Sequence, residues 1–177
     1  TKQITKQVTN VYFDLNSAYP ALAEEEGTLV DVEQDTEVYA HYVPNSTGYD
    51  IYFLADGPIY SPANSAELFI GMSSLVKVDT ENFDVSRVTD MYKMFRDCTS
   101  LSTIDVSDWD TSKVTNMGHM FRACFALEWI DVSEWDTGNA VAFNSMFSDS
   151  KSNTSRMKIK DLDFSGWDMG SATNISY

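Results

Sequence analysis

The side chains able to do chemistry are few, and most of them keep one spacing. Cys98 and Cys124 stand 26 residues apart. The same step of 26 separates Asp79, Asp105 and Asp131, and again Asp84, Asp110 and Asp136, while Asp163 and Asp168 continue both series after a step of 32. His41 and His119 stand alone, with no second ligand at metal-binding spacing. No nucleophile sits beside a base in a recognisable pattern. The expectation is therefore a non-enzymatic chain with no catalytic residue, no metal and no cofactor.

The regular series have competing readings. If Asp79, Asp105, Asp131 and Asp163 lie on neighbouring strands about 4.8 Å apart, their oxygens could bind Ca²⁺ or form an acidic stripe facing a partner. The simpler expectation is that each Asp bonds nearby Ser, Thr or backbone groups. Asp84, Asp110, Asp136 and Asp168 read as turn and cap residues. Cys98 and Cys124, on adjacent copies of one pattern, would approach disulfide distance. A ladder of buried, reduced thiols is the expected state.

These residues belong to a repeat. Phe83-Asp84 aligns with Trp109-Asp110 and Trp135-Asp136; Met94-Phe95 aligns with Met120-Phe121 and Met146-Phe147. Leu101 aligns with Leu127, Ile104 with Ile130, and Leu68-Phe69 with Met94-Phe95. A further copy, Ile159, Leu162, Asp163, Phe164, Trp167 and Asp168, follows an insertion of about six residues within 148–158. A fixed period in this range signals stacked units, none able to bury its apolar side alone.

Two periodicities alternate inside a unit. Leu101, Ile104, Val106 and Trp109 follow a leucine-rich L-x-x-L-x-L line, and Ile104-Asp105-Val106 alternates as a short strand does. Val114, Met117, Met120, Phe121 and Cys124 recur at three- and four-residue steps, which predicts a short helix capped by Thr115 or Asn116. The expected fold is an α/β leucine-rich-repeat solenoid, one strand and one helix per repeat, with about four rungs over residues 49–177. Residues 1–48 show strand alternation in VTNVYFDL, TLVDVE and TEVYAHYV, and are expected to form an N-terminal β cap or small β domain. YDIYFLA, at 49–55, would then be the first rung. The last copy ends where Met-Phe is due, so further repeats or a neighbouring subunit are expected at that end.

Residues 83–107, FDVSRVTDMYKMFRDCTSLSTIDVS, and 109–133, WDTSKVTNMGHMFRACFALEWIDVS, resemble the BspA-like leucine-rich-repeat family of bacterial surface proteins. The resemblance is close over roughly 66–147 and weaker over 159–177. It implies a secreted or cell-surface, non-enzymatic interaction module of the kind found in adhesins, binding a host protein or glycan. A structural segment of a larger surface or bacteriophage particle is the alternative. The third copy departs from the pattern at Gly138-Asn139-Ala140, at Phe143, and at Ser150 in place of Cys.

Charge narrows the partners. The 177 residues carry a net charge of −15, which disfavours nucleic acid and anionic membrane surfaces. No apolar run reaches the roughly 18 residues of a spanning helix, so no membrane insertion is expected. Candidate partner-binding residues are Asp79, Asp105, Trp129, Asp131 and Asp163. Trp129 is the one Trp outside the buried series Phe83, Trp109, Trp135 and Trp167. Lys151, Arg156, Lys158 and Lys160, around the insertion, form the basic cluster and are a possible docking loop for an acidic partner or another copy.

Overall fold

The computed structural model describes residues 8–23, 28–31, 37–149 and 156–176. The elements are β1 (Val8–Leu15), α1 (Pro20–Ala23), β2 (Thr28–Asp31), β3 (Val38–Pro44), β4 (Tyr49–Ala55), β5 (Ile59–Tyr60), β6 (Lys77–Asp79), β7 (Phe83–Asp84) and β8 (Thr103–Ile104). A six-stranded mixed sheet has the order β2-β3-β4-β1-β6-β8, and β5 pairs with β7 in a second, small sheet. β1 lies between β4 and β6 and is parallel to both, with Val11 beside Ile51 on one side and Val78 on the other. The strand next to β6 is thus β1, from the start of the described chain, and β4 lies one place further out.

The expected α/β solenoid with one helix per repeat is overturned. The fold is mostly β and turn, and the one helix among the described residues is the four-residue α1. Residues 117–124 show why. An α-helix needs φ near −63° throughout and sends each N–H to the carbonyl four residues back. Here His119 and Ala123 take φ of 58° and 63°, in the left-handed region. The N–H groups of Met117, His119, Phe121 and Ala123 donate to Ala142, Asn144, Met146 and Ser148 of the next copy at 2.8–3.0 Å. The intervening N–H groups of Met120, Arg122 and Cys124 close turns onto Met117, His119 and Phe121 at 3.1–3.3 Å. Alternate donors therefore serve the neighbour and the local turn. Lys93 and Asp97 repeat the left-handed pair one copy earlier, at 56° and 62°.

These turns still bury the residues that the three- and four-residue spacing picked out. Met117, Met120, Phe121 and Cys124 are each fully buried. Met94 and Met120 are fully buried and Met146 nearly so. Phe69, Phe95, Phe121 and Phe147 stack in sequence at 5.0, 5.4 and 5.6 Å between centroids. Trp109, Trp135 and Trp167 stack beside them at 6.3 Å per step. Cys98 donates its thiol to the Phe69 carbonyl and Cys124 to that of Phe95, at 3.0 and 3.2 Å. Both cysteines are free and buried.

Each copy turns its corners on an Asp or Asn side chain. Asp105, Asp110 and Asn116 accept the N–H two residues on, from Ser107, Ser112 and Gly118, all at 3.1 Å. Asp131 and Asp136 repeat the first two from Ser133 and Gly138 at 3.0 Å. These side chains satisfy donors that the sharp bends would otherwise leave to solvent.

The inner face of the N-terminal strands joins the same core. Phe13 of β1 stacks on Phe83 at 4.1 Å and on Phe53 at 5.0 Å, and meets Phe69 edge-on at 6.3 Å. At the opposite end, the copy spanning 156–176 leaves Phe164, Met169 and Ile175 exposed at 43, 42 and 60%.

Candidate functional site

The repeat brings Lys77, Thr103, Trp129 and Asp161 to equivalent places, and two residues on it does the same for Asp79, Asp105, Asp131 and Asp163. Lys77 and Thr103 are direct cross-strand partners in β6 and β8. All these side chains lie on the outer face, because Val78, Ile104 and Ile130 between them point into the core at 2–3% exposure. This alternation is the period-two signature of a half-buried strand.

Trp129 is 60% exposed, in contrast to Trp109 at 7% and Trp135 at 1%. The buried series thus serves as core, and the exposed indole is the exception. Around it, Asp105 accepts from both the N–H and the hydroxyl of Ser107 at 3.1 and 2.7 Å. Asp131 does the same with Ser133 at 3.0 and 2.8 Å, and Asp163 accepts from the Ser165 N–H at 2.8 Å. The backbone N–H and hydroxyl of Ser133 hold the Asp131 carboxyl below its ordinary range, and those of Ser165 do so for Asp163. In all of these contacts one oxygen, Oδ1, takes the local bonds. Asp79 accepts from the Glu81 N–H at 3.4 Å through Oδ1 and pairs with Lys77 through Oδ2 at 2.7 Å, a bridge that raises the Lys77 ammonium pKa. A cleft of about 390 Å³ opens between Lys77, Asp79, Glu81, Thr103, Asp105 and Asp108.

The sequence reading missed the continuation of this face. β1 sets Asn10 beside Lys77 and Tyr12 beside Asp79. Tyr12 stacks on Tyr52 of β4 at 4.7 Å with the rings 9° from parallel, and Tyr19 leans on Tyr52 at 4.8 Å. The Lys77 ammonium lies 5.4 Å from the centre of the Tyr12 ring. Burial, with a smaller contribution from Asp50, raises the Tyr12 phenol pKa, and burial together with Tyr12 raises that of Tyr52. The matching Tyr-Phe pairs in VTNVYFDL and YDIYFLA were the available signal, since both strands put Tyr outward and Phe inward.

Of the basic cluster's described residues, Arg156 and Lys158 pair with different carboxylates. Arg156 bridges Asp149 at 3.2 Å, and Lys158 bridges Glu128 at 3.2 Å. Lys160 is exposed and donates its backbone N–H to the Glu128 carbonyl at 3.3 Å. Lys151 lies outside the described residues. Among the described residues, no group of three or more His, Cys, Asp or Glu is placed to hold a metal ion. No helix there is long and apolar enough to cross a membrane.

Residues 63–177 match the family described as "Mycoplasma protein of unknown function, DUF285". The matched stretch contains the repeat copies and every Asp and Trp of the outer face, and it carries no leucine-rich-repeat assignment. No curated protein and no solved structure matches the chain.

Proposed function

The chain belongs to the DUF285 family, found in BspA-like surface repeat proteins, and we propose that it is a non-enzymatic, adhesin-like binding module outside the cell. The outer sheet face recognises a host protein or glycan there. The observation that carries this reading is Trp129, a large apolar side chain left 60% exposed by a repeat that buries Trp109 and Trp135 and half-buries Trp167. Binding hot spots are enriched in Trp, which supplies affinity when a partner desolvates it. The flanking Asp105, Asp131 and Asp163 carry charge on a chain with few cations to offset it. Such a field speeds encounter with a basic partner more than it strengthens the final complex.

The test is a screen of the chain against arrayed extracellular proteins and glycans, with Trp129→Ala and the double variant Asp105→Asn/Asp131→Asn run in parallel. Trp129→Ala should weaken a true hit by ten-fold or more, about 1.4 kcal/mol or above, without lowering the melting temperature. The double Asn variant should slow association and flatten its salt dependence. A hit that binds both variants like the parent would remove this face from consideration.

A further inference from the structure

The tight turns that stand in place of the expected helices carry cations, although the net charge of the chain is −15. Lys93 and His119 hold one place in successive copies, and Arg96 and Arg122 hold another, three residues on. Backbone bonds join the two copies here: Lys93 donates to Gly118, Phe95 to Met120 and Asp97 to Arg122, each at 2.9 Å. Arg96 and Arg122 are therefore neighbours at the spacing of hydrogen-bonded strands, about 4.8 Å between backbones. Burial, and after it the charges of Arg122, Arg96 and Lys93, lower the His119 pKa, so all three cations bear on the imidazole.

This group holds donors without acceptors. His119 Nε2 accepts from the Asn144 amide, which leaves the ring hydrogen on Nδ1. That buried Nδ1 has no acceptor among the described residues. The buried Nε of Arg96 has none either: Asp97 Oδ2 lies 3.2 Å away but out of line for a hydrogen bond. A buried donor left without an acceptor costs stability. Charge is unbalanced in the same place. Lys93 is bridged to Glu67 at 2.9 Å, and Arg96 has the Asp97 carboxylate beside it. Arg122 is followed by Ala123 where Arg96 is followed by Asp97, and no carboxylate among the described residues bridges it. One copy on, Asp149 holds that place but is engaged by Arg156 and by the Met157 N–H.

We propose that Arg96, His119 and Arg122 form a binding site for a tetrahedral oxyanion, a phosphate or sulfate group. Each guanidinium offers a planar fork of N–H donors that matches such oxygens. Both arginines are half-buried, so an anion reaches them from solvent and, seated between them, also takes the Nδ1–H of His119. Two forks on adjacent copies and an imidazole N–H call for acceptors in more than one plane. Phosphate and sulfate present oxygens in every direction, whereas a carboxylate presents two in one plane. Lys93 adds positive charge alongside. The site lies in the turns, and neither Trp129 nor the Asp residues of the outer face belong to it, so it does not depend on what the outer face binds.

NMR titration of the whole chain at neutral pH in chloride tests this, at constant ionic strength. The additions are inorganic phosphate, inorganic sulfate, the phosphate and sulfate monoesters of glucose, and acetate. Phosphate and sulfate should shift the Arg96 and Arg122 Nε–H signals and the His119 ring signals saturably, and acetate should not. Shifts with the free ions alone mark a free-anion site, and shifts with an ester as well mark a site for that group on a larger molecule; both support the proposal. Arg122→Gln should weaken binding about ten-fold or more, as loss of charge-assisted hydrogen bonds implies, and should keep the parent's melting temperature in chloride. Ala123→Asp gives Arg122 the partner that Arg96 has and should weaken binding as much. The backbone suits it, since Ala123 and Asp97 take φ of 63° and 62°. No saturable shift with phosphate or sulfate overturns the proposal. So do equal shifts with acetate, or an Arg122→Gln chain that binds like the parent.

Discussion

Trp135 donates its indole N–H to the carbonyl of Val106, on the preceding copy, at 2.8 Å. Trp167 repeats the bond with Val132 at 2.7 Å. Trp109 holds the same place one copy earlier, but its buried indole nitrogen has no acceptor. One side chain thus serves two copies at once, through its ring and through its nitrogen. Trp→Phe removes similar ring area at both sites but a hydrogen bond at only one. Trp135→Phe should cost about 1–2 kcal/mol more than Trp109→Phe, measured by urea unfolding. Equal losses would mean that the bond contributes nothing net.

Gly71 tests turn against helix by the sign of one substitution. It holds φ of +71° at the place occupied by Asp97 and Ala123 in later copies, and a Cβ there would meet nothing within 4 Å. The cost of Gly71→Ala is then purely that of a left-handed Ala, about 1 kcal/mol of lost stability. In a helix the same change would stabilise by about the same amount. A rise in the unfolding midpoint would restore the helical reading.

Cys98 and Cys124 should be unreactive in the native protein. Burial pushes the Cys98 thiol up to about 12 and also raises that of Cys124. The thiolate is the reactive form, so disulfide-exchange reagents should label both slowly at pH 8 and rapidly after denaturation. Prompt labelling of folded protein would show that the stack opens readily there.

His119 should remain neutral below the pH at which a free imidazole charges. Burial and the nearby Arg122, Arg96 and Lys93 lower its pKa from 6.5. Asn144 accepts from Asn174 through Oδ1, so its amide nitrogen faces His119 Nε2 at 3.0 Å and requires that atom to be an acceptor. Because the folded pKa is depressed, the unfolded chain binds the proton first. The contribution of His119 is complete above pH 6.5 and is lost as the pH falls through its folded value. Stability should fall over that window and the fall should be smaller in His119→Gln, while NMR should place the imidazole pKa below 6.5. An imidazole titrating above 6.5 would contradict the arrangement.

The sequence alone determined the period, the contents of the core and the corner residues. Position in the repeat is enough to say that Met120, Phe121 and Cys124 are internal and that Asp110 bends the chain, because those roles depend on near neighbours and on identical surroundings in each copy. It did not determine the element between them. Steps of three and four residues turn Met117, Met120, Phe121 and Cys124 inward equally well in a helix and in successive tight turns. What separates the two is where the N–H groups of His119 and Phe121 find acceptors, and those acceptors, Asn144 and Met146, belong to the next copy. The place of β1 between β4 and β6 was likewise hidden, since it rests on contacts between residues far apart in the chain. Repeat position did separate Trp135, in the buried series, from Trp129 on the strand. Only the tertiary structure could show that nothing among the described residues packs over Trp129, which is left 60% exposed, because whether an outward indole is covered depends on what the fold brings against it.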